Sequence, residues 1–126
     1  MSKTAVKTDN APSAIGPYSQ GVIANGFLFT SGQLPLDPAT GKIPQGPVAH
    51  RARLCLMNLQ SIALAAGTGM DRAVKITVFL TDISQFKAVN EVYESFFPEP
   101  FPARSAVQVA ALPLGADIEI EGVFQI

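Results

Sequence analysis

One arginine opens an otherwise apolar, strand-like run behind a proline: Phe101-Pro102-Ala103-Arg104-Ser105-Ala106-Val107-Gln108-Val109. A guanidinium stays charged at any working pH and presents a planar fork of donors, so placing it among Phe, Ala and Val costs desolvation unless an anion meets it. That anion is either a carboxylate of the protein or the carboxylate of a small ligand. In a second strand-like run, Glu119 and Glu121 alternate with Ile118 and Ile120, a pattern that in isolation means a solvated face. If both faces of the sheet are buried, a glutamate there needs a cation, a donor or a water, and Arg104 is the candidate cation. Both readings of Arg104, an internal ion pair and a ligand anchor, stay open at this level.

Other reactive residues stand alone. His50 falls in the first turn of a predicted helix with no partner pattern, so a solvated or capping role is expected. Cys55 lies on the apolar stripe of that helix and reads as a small buried hydrophobe. With one Cys and one His there is neither a disulfide pair nor a metal-ligand cluster. Gly67-Thr68-Gly69 follows a helix and lacks the Lys-Ser/Thr of a phosphate loop, which argues against nucleotide binding. Ser31-Gly32-Gln33 ends a strand without the spacing of a nucleophile elbow, which argues against a serine hydrolase. Tyr18, in the turn Gly16-Pro17-Tyr18-Ser19, either lines a pocket or covers the core, and Asn90 sits mid-helix as a solvated residue or a ligand contact.

Positioning these residues falls to a chain of 126 residues, the length of one domain, 1–126, with one core. It is 48% hydrophobic and 15% charged, against roughly 25% charged in soluble domains, so part of its surface is expected to be an interface. A net charge of −1 with dispersed basic residues argues against nucleic acid and anionic membranes as partners. The N-terminal residues lack an apolar signal core, and no stretch approaches the roughly 18 apolar residues of a membrane span; a cytoplasmic protein is expected.

Val22–Ala24 and Phe27–Thr30 flank Asn25-Gly26, which predicts a tight hairpin. Val48, Ala52, Cys55, Leu59, Ile62 and Ala66 follow a helical period that stops at Gly67. Val74, Ile76, Val78 and Leu80 alternate as a strand. Asp82 with Gln85 resembles a capping box that starts a second helix through Phe86, Val89, Tyr93, Phe96 and Phe97, ended by Pro98. Strands over Arg104–Ala111 and Asp117–Ile126 complete an α/β order β-β-α-β-α-β-β, with both helices on one face of a mixed sheet. Yet Phe27, Phe29 and Phe79 oppose Leu28, Val78 and Leu80 in parity, so the bare face also requires burial, which predicts a homo-oligomer closing sheet against sheet.

Five ordered motifs carry a family resemblance: Gly16-Pro17-Tyr18-Ser19-Gln20, Thr30-Ser31-Gly32-Gln33 with Pro35, Val89-Asn90-Glu91-Val92-Tyr93, Phe101-Pro102-Ala103-Arg104-Ser105 and Ile118-Glu119-Ile120-Glu121. Together they resemble the Rid (reactive intermediate deaminase) family, also called YjgF. The resemblance implies a chorismate-mutase-like fold and a homotrimer with sheets facing inward and three intersubunit sites. It also implies hydrolysis of 2-aminoacrylate and related 2-imino acids to 2-keto acids and ammonia, without metal or cofactor. Arg104 matches the carboxylate-binding arginine and Glu119 the acidic residue near the attacking water, while Tyr18, Ser31, Gly32 and Asn90 match pocket positions. Many members carry cysteine where this chain has Ala106, which excludes a thiol mechanism there and leaves the residue 106 carbonyl to hold a water. Pro98-Glu99-Pro100 is tighter than the matching segment of some members of the resembled family, which bears on the width of the cleft. The alternative is a non-enzymatic regulatory trimer that senses a small carboxylate through the same arginine; keeping Glu119 as well favours the enzyme. A chaperone-like protein, the third reading, predicts a broad exposed apolar patch in the oligomer.

Overall fold

The structure is a computed structural model that describes residues 2–126. β2 (Gly21–Ala24) and β3 (Phe27–Thr30) form the expected hairpin, with Asn25 and Gly26 at φ of 53° and 80°. Two consecutive left-handed residues give the turn whose twist matches its strands. One strand was not expected: β1 (Thr4–Val6) pairs antiparallel with β2, Thr4 opposite Ile23. The element order is therefore β-β-β-α-β-α-β-β, with one strand more than the sequence predicts.

α1 (Val48–Ala65) buries Val48, Ala52, Cys55, Leu59 and Ile62 as the periodicity requires, and Gly67 follows it at φ 83°. β4 (Ala73–Leu80) leads to a short 3₁₀ turn at Ile83–Gln85 and then to α2 (Phe86–Glu94). The capping box is not formed. Asp82 accepts from the Ser84 amide at 3.0 Å and the Ser84 hydroxyl at 2.6 Å, while Gln85 Oε1 is buried without a partner. An Asx-type turn thus replaces the reciprocal cap. α2 also stops earlier than the apolar spacing suggests. The Ser95 hydroxyl donates to Val92 O at 2.6 Å at its cap, a side-chain bond of the kind that competes with helix continuation. Phe97 lies past the helix end and packs on Tyr93, ring centroids 4.6 Å apart.

β5 (Ala103–Gln108) and β6 (Ile118–Gln125) are shorter than read from sequence, and the sheet order is β1-β2-β3-β6-β4-β5. β6 inserts between β3 and β4, antiparallel to both, while β5 joins the edge parallel to β4 through α2. Register places Ile76, Val78 and Leu80 opposite Gly122, Ile120 and Ile118, and Leu28 opposite Phe124. All of these apolar side chains are fully buried, so this is the face that both helices cover. A register shift between Ala73 and Lys75 breaks the expected alternation at its start and leaves Val74 exposed. The opposite face carries Phe29, 47% exposed, and Val107, 41% exposed, with Phe79 between their strands, and nothing among the described residues covers it. Burying one such phenylalanine is worth roughly 1.5–3 kcal/mol. No helix among the described residues is long and apolar enough to cross a membrane.

Candidate functional site

Arg104 is the second residue of the edge strand β5, opposite Ile76, which directs its side chain to the helix-bearing face. The strand is not the buried run that its apolar residues suggest. Arg104 is exposed there, because an edge strand with no neighbour on one side leaves room for the guanidinium to reach water. It folds back over α2, where Nη1 donates to Asn90 Oδ1 at 2.6 Å. Its Cζ stands 4.8 Å from the centre of the Phe86 ring and 4.7 Å from that of Tyr93. These three residues are spaced i, i+4 and i+7, so α2 presents them as one stripe. The Tyr93 hydroxyl is buried without a hydrogen-bond partner; burial pushes its pKa up, with Arg104 opposing. Asn90, Tyr93, Glu94, Phe101, Pro102 and Arg104 line a cavity of about 310 Å³.

Arg104 meets no carboxylate among the described residues, where the ion pair is Arg51 with Asp117 at 2.7 Å. That pair is structural: Arg51 Nε also donates to Asp117 Oδ1 at 2.9 Å, tying α1 to the start of β6.

Glu119 stands opposite Phe79 and therefore on the uncovered face. The segment after β3 runs beside β6, with the Gln33 amide donating to Ile120 O at 2.8 Å and the Ile120 amide to Gln33 O at 3.1 Å. This lays Gly32 directly on the carboxylate: a Cβ there would stand 2.7 Å from Glu119 Cδ and 2.8 Å from Oε2. Only glycine allows that approach. Ser31 ties the same segment to the turn before β2, its hydroxyl donating to Ser19 O at 2.6 Å and its amide to Gln20 O at 2.9 Å. Tyr18, half-exposed in that turn, shares a cavity of about 50 Å³ with Gly32 and Gln33. Burial raises the Glu119 pKa, and the neighbouring Glu121 charge raises it further.

The sequence-predicted residues thus fall into two groups, Arg104 with Asn90, and Glu119 with Gly32, Ser31 and Tyr18. The internal Arg104–Glu119 ion pair does not form. β4 lies between their strands, and their partners on β4, Ile76 and Phe79, have opposite parity, so the two side chains leave the sheet on opposite faces. Two strand spacings and three residues of offset separate their Cα atoms by on the order of 14 Å. Ala106, opposite Val78, packs its methyl toward the core, which leaves only its backbone to meet a ligand.

His50 is exposed, and Cys55 is buried, with its thiol pKa well up through desolvation. No group of three or more His, Cys, Asp or Glu among the described residues is placed to hold a metal ion. Sequence reasoning placed Phe86 and Tyr93 on the apolar period of the second helix and missed their contact with Arg104. Their spacing around Asn90 was the available signal.

A family model described as Endoribonuclease L-PSP matches residues 8–126. The chain is 50% identical over 121 residues to the RutC family protein y4sK of Sinorhizobium fredii, covering 96% of each. It is 47% identical over 121 residues to the 2-iminobutanoate/2-iminopropanoate deaminase of Homo sapiens, covering 96% of this chain and 88% of that one. The crystal structure of E. coli TdcF with bound serine superimposes with a TM-score of 0.93 at 46% identity, covering 98% of each chain. The match takes in the segments carrying Tyr18, Gly32, Asn90, Arg104 and Glu119, and the chain belongs to this family, the Rid proteins.

Proposed function

We propose that this protein is a 2-imino acid deaminase, acting as a homotrimer on 2-iminopropanoate, 2-iminobutanoate and the 2-aminoacrylate that tautomerises to the former. The observation that carries this reading is a guanidinium bonded to Asn90 yet left without a carboxylate among the described residues. The relative named a 2-iminobutanoate/2-iminopropanoate deaminase supports the substrate class, and the related structure with bound serine supports a small amino-acid-like ligand.

One small imino acid is too short to touch Arg104 and Glu119 of the same chain. Setting the β5 edge of one copy against the uncovered face of another solves this: Glu119, Gly32, Ser31 and Tyr18 of one copy meet Arg104, Asn90 and the residue 106 backbone of the next. Arg104 then holds the substrate carboxylate bidentately, with the imine carbon before a water oriented by Glu119 and the residue 106 carbonyl. The water oxygen bonds to C2 as Glu119 takes its proton. This addition moves the C=N π pair onto the nitrogen of the iminium form, and Glu119 passes the proton it took to the amino group of the resulting carbinolamine. The C2–N bond then breaks as the hydroxyl proton returns to Glu119, giving the 2-keto acid and ammonia. Acid–base assistance of this kind supplies about 10²–10⁴-fold, enough for imines that already hydrolyse unaided. A sensor of carboxylates needs Arg104 alone, so the carboxylate seated on Gly32 favours catalysis.

The test is to generate several 2-imino acids in situ with an amino-acid oxidase and time their conversion to keto acids. Faster conversion in the presence of the protein is expected, with Arg104→Ala losing it. An unchanged decay with the intact oligomer overturns the enzyme reading.

A further inference from the structure

We propose that Phe86 and Tyr93 are positioning residues: two aromatic faces on α2 that, with Asn90, fix the Arg104 guanidinium while leaving its charge and most of its donors for the substrate. The inference rests on Arg104 being the carboxylate anchor.

The exposed arginine of an edge strand has a long side chain with several rotatable bonds, and a single hydrogen bond from Nη1 to Asn90 leaves it free to swing about that bond. Internal carboxylates are the usual means of holding an arginine, but one here would neutralise the charge and occupy the fork of donors. The rings act differently. A cation over an aromatic face is held by the ring quadrupole, and no N–H is spent on it. Both rings stand within that range, at 4.8 and 4.7 Å from Cζ, and Asn90 lies between them on the same helical stripe. One Nη1–H is used, and the remaining donors stay available beside the cavity of about 310 Å³.

Tyr93 is itself held in place. It is 5% exposed and its ring packs at 4.6 Å on Phe97, while its hydroxyl is buried and bonds to nothing. The ring, not the hydroxyl, therefore acts on Arg104, so the phenylalanine variant is expected to retain the function and the leucine variant to lose it.

The experiment compares Phe86→Leu, Phe86→Tyr, Tyr93→Leu, Tyr93→Phe and Arg104→Ala in the intact oligomer. Steady-state turnover of 2-iminobutanoate and calorimetric binding of 2-oxobutanoate and its carboxamide are measured. Each leucine variant is expected to raise KM and the 2-oxobutanoate Kd roughly 3- to 30-fold, with kcat within about twofold. The aromatic replacements stay near the parent, and carboxamide binding does not move. Phe86 is only half-buried, so Phe86→Leu keeps the test valid should Tyr93→Leu fail to fold. Leucine variants that bind 2-oxobutanoate like the parent, or that lose kcat with KM unchanged, overturn the positioning role while Arg104→Ala still weakens binding. An Arg104→Ala protein that binds normally instead overturns the anchor on which the inference rests.

Discussion

Mixing two dead variants should restore activity. Arg104→Ala removes the proposed substrate clamp and Glu119→Gln the proposed base, and the sheet directs these two side chains of one chain to opposite faces. The proposed site therefore takes Arg104 from one copy and Glu119 from its neighbour. In a random mixture of equal amounts, a site is intact when its arginine comes from the Glu119→Gln chain and its glutamate from the Arg104→Ala chain, which holds for about a quarter of sites in a closed ring.

The background is low. Losing two charge-assisted hydrogen bonds of about 1.5–3 kcal/mol each lowers kcat/KM by roughly 10²–10⁴-fold, and losing the base lowers it by a similar factor. The parents should thus retain about 1% of activity or less, against about 25% for the exchanged mixture. The assay unfolds and refolds the two variants together, verifies mixed oligomers by native mass spectrometry, and measures keto-acid release from 2-iminobutanoate. Mixed oligomers no more active than the average of the parents would refute the two-copy site.

Three further outcomes are expected. Gly32→Ala places a Cβ 2.7 Å from Glu119 Cδ and must displace the carboxylate; kcat should fall about tenfold or more with KM nearly unchanged, since Arg104 is untouched. Glu119 is held above its unfolded pKa by burial and then by Glu121, so the folded chain binds more protons and stability falls as pH rises from the ordinary carboxyl range through the raised value. Glu119→Gln should flatten that fall, measured by thermal denaturation across pH, and should also remove the acidic limb of the residual kcat profile. Phe29→Lys puts a charge on the uncovered apolar face and should lower the oligomeric mass in sedimentation velocity while leaving the helical circular dichroism signal intact.

The elements with local signals were legible in the sequence. Asn25-Gly26 dictates its turn through backbone conformation, and α1 declares its buried face through spacing alone. β1 was not legible because Thr-Ala-Val carries no alternation of its own; pairing with β2 creates the strand. The end of α2 depended on the Ser95 hydroxyl, which the apolar period through Phe97 conceals. At the candidate site, the residue types were readable and their relation was not. Arg104 looked buried because Ala, Val and Phe surround it in sequence, whereas sheet order makes β5 an edge. Whether Arg104 faces Glu119 depends on which β4 residues each opposes, and that parity exists only once three strands are in register. The Gly32 approach to Glu119 arises likewise from the bridge of Gln33 with Ile120.

The proposed division of the site between copies bears on how Glu119 would work as a base. In the single chain its carboxyl is already raised by burial, and a neighbour laid over the uncovered face removes more water from it, raising it further. The neighbour also brings Arg104, a positive charge that draws the value down while the site is empty. A substrate carboxylate on Arg104 cancels much of that pull. In the proposed site, binding of substrate would therefore raise the affinity of Glu119 for a proton at the moment when it must take one from water. An arginine paired internally with a carboxylate would give no such change, because its charge would be cancelled before the substrate arrived. Holding Arg104 with Asn90 and two aromatic faces leaves most of its donors open for the imino acid, and in the proposed site this would couple anchoring of the substrate to activation of the base.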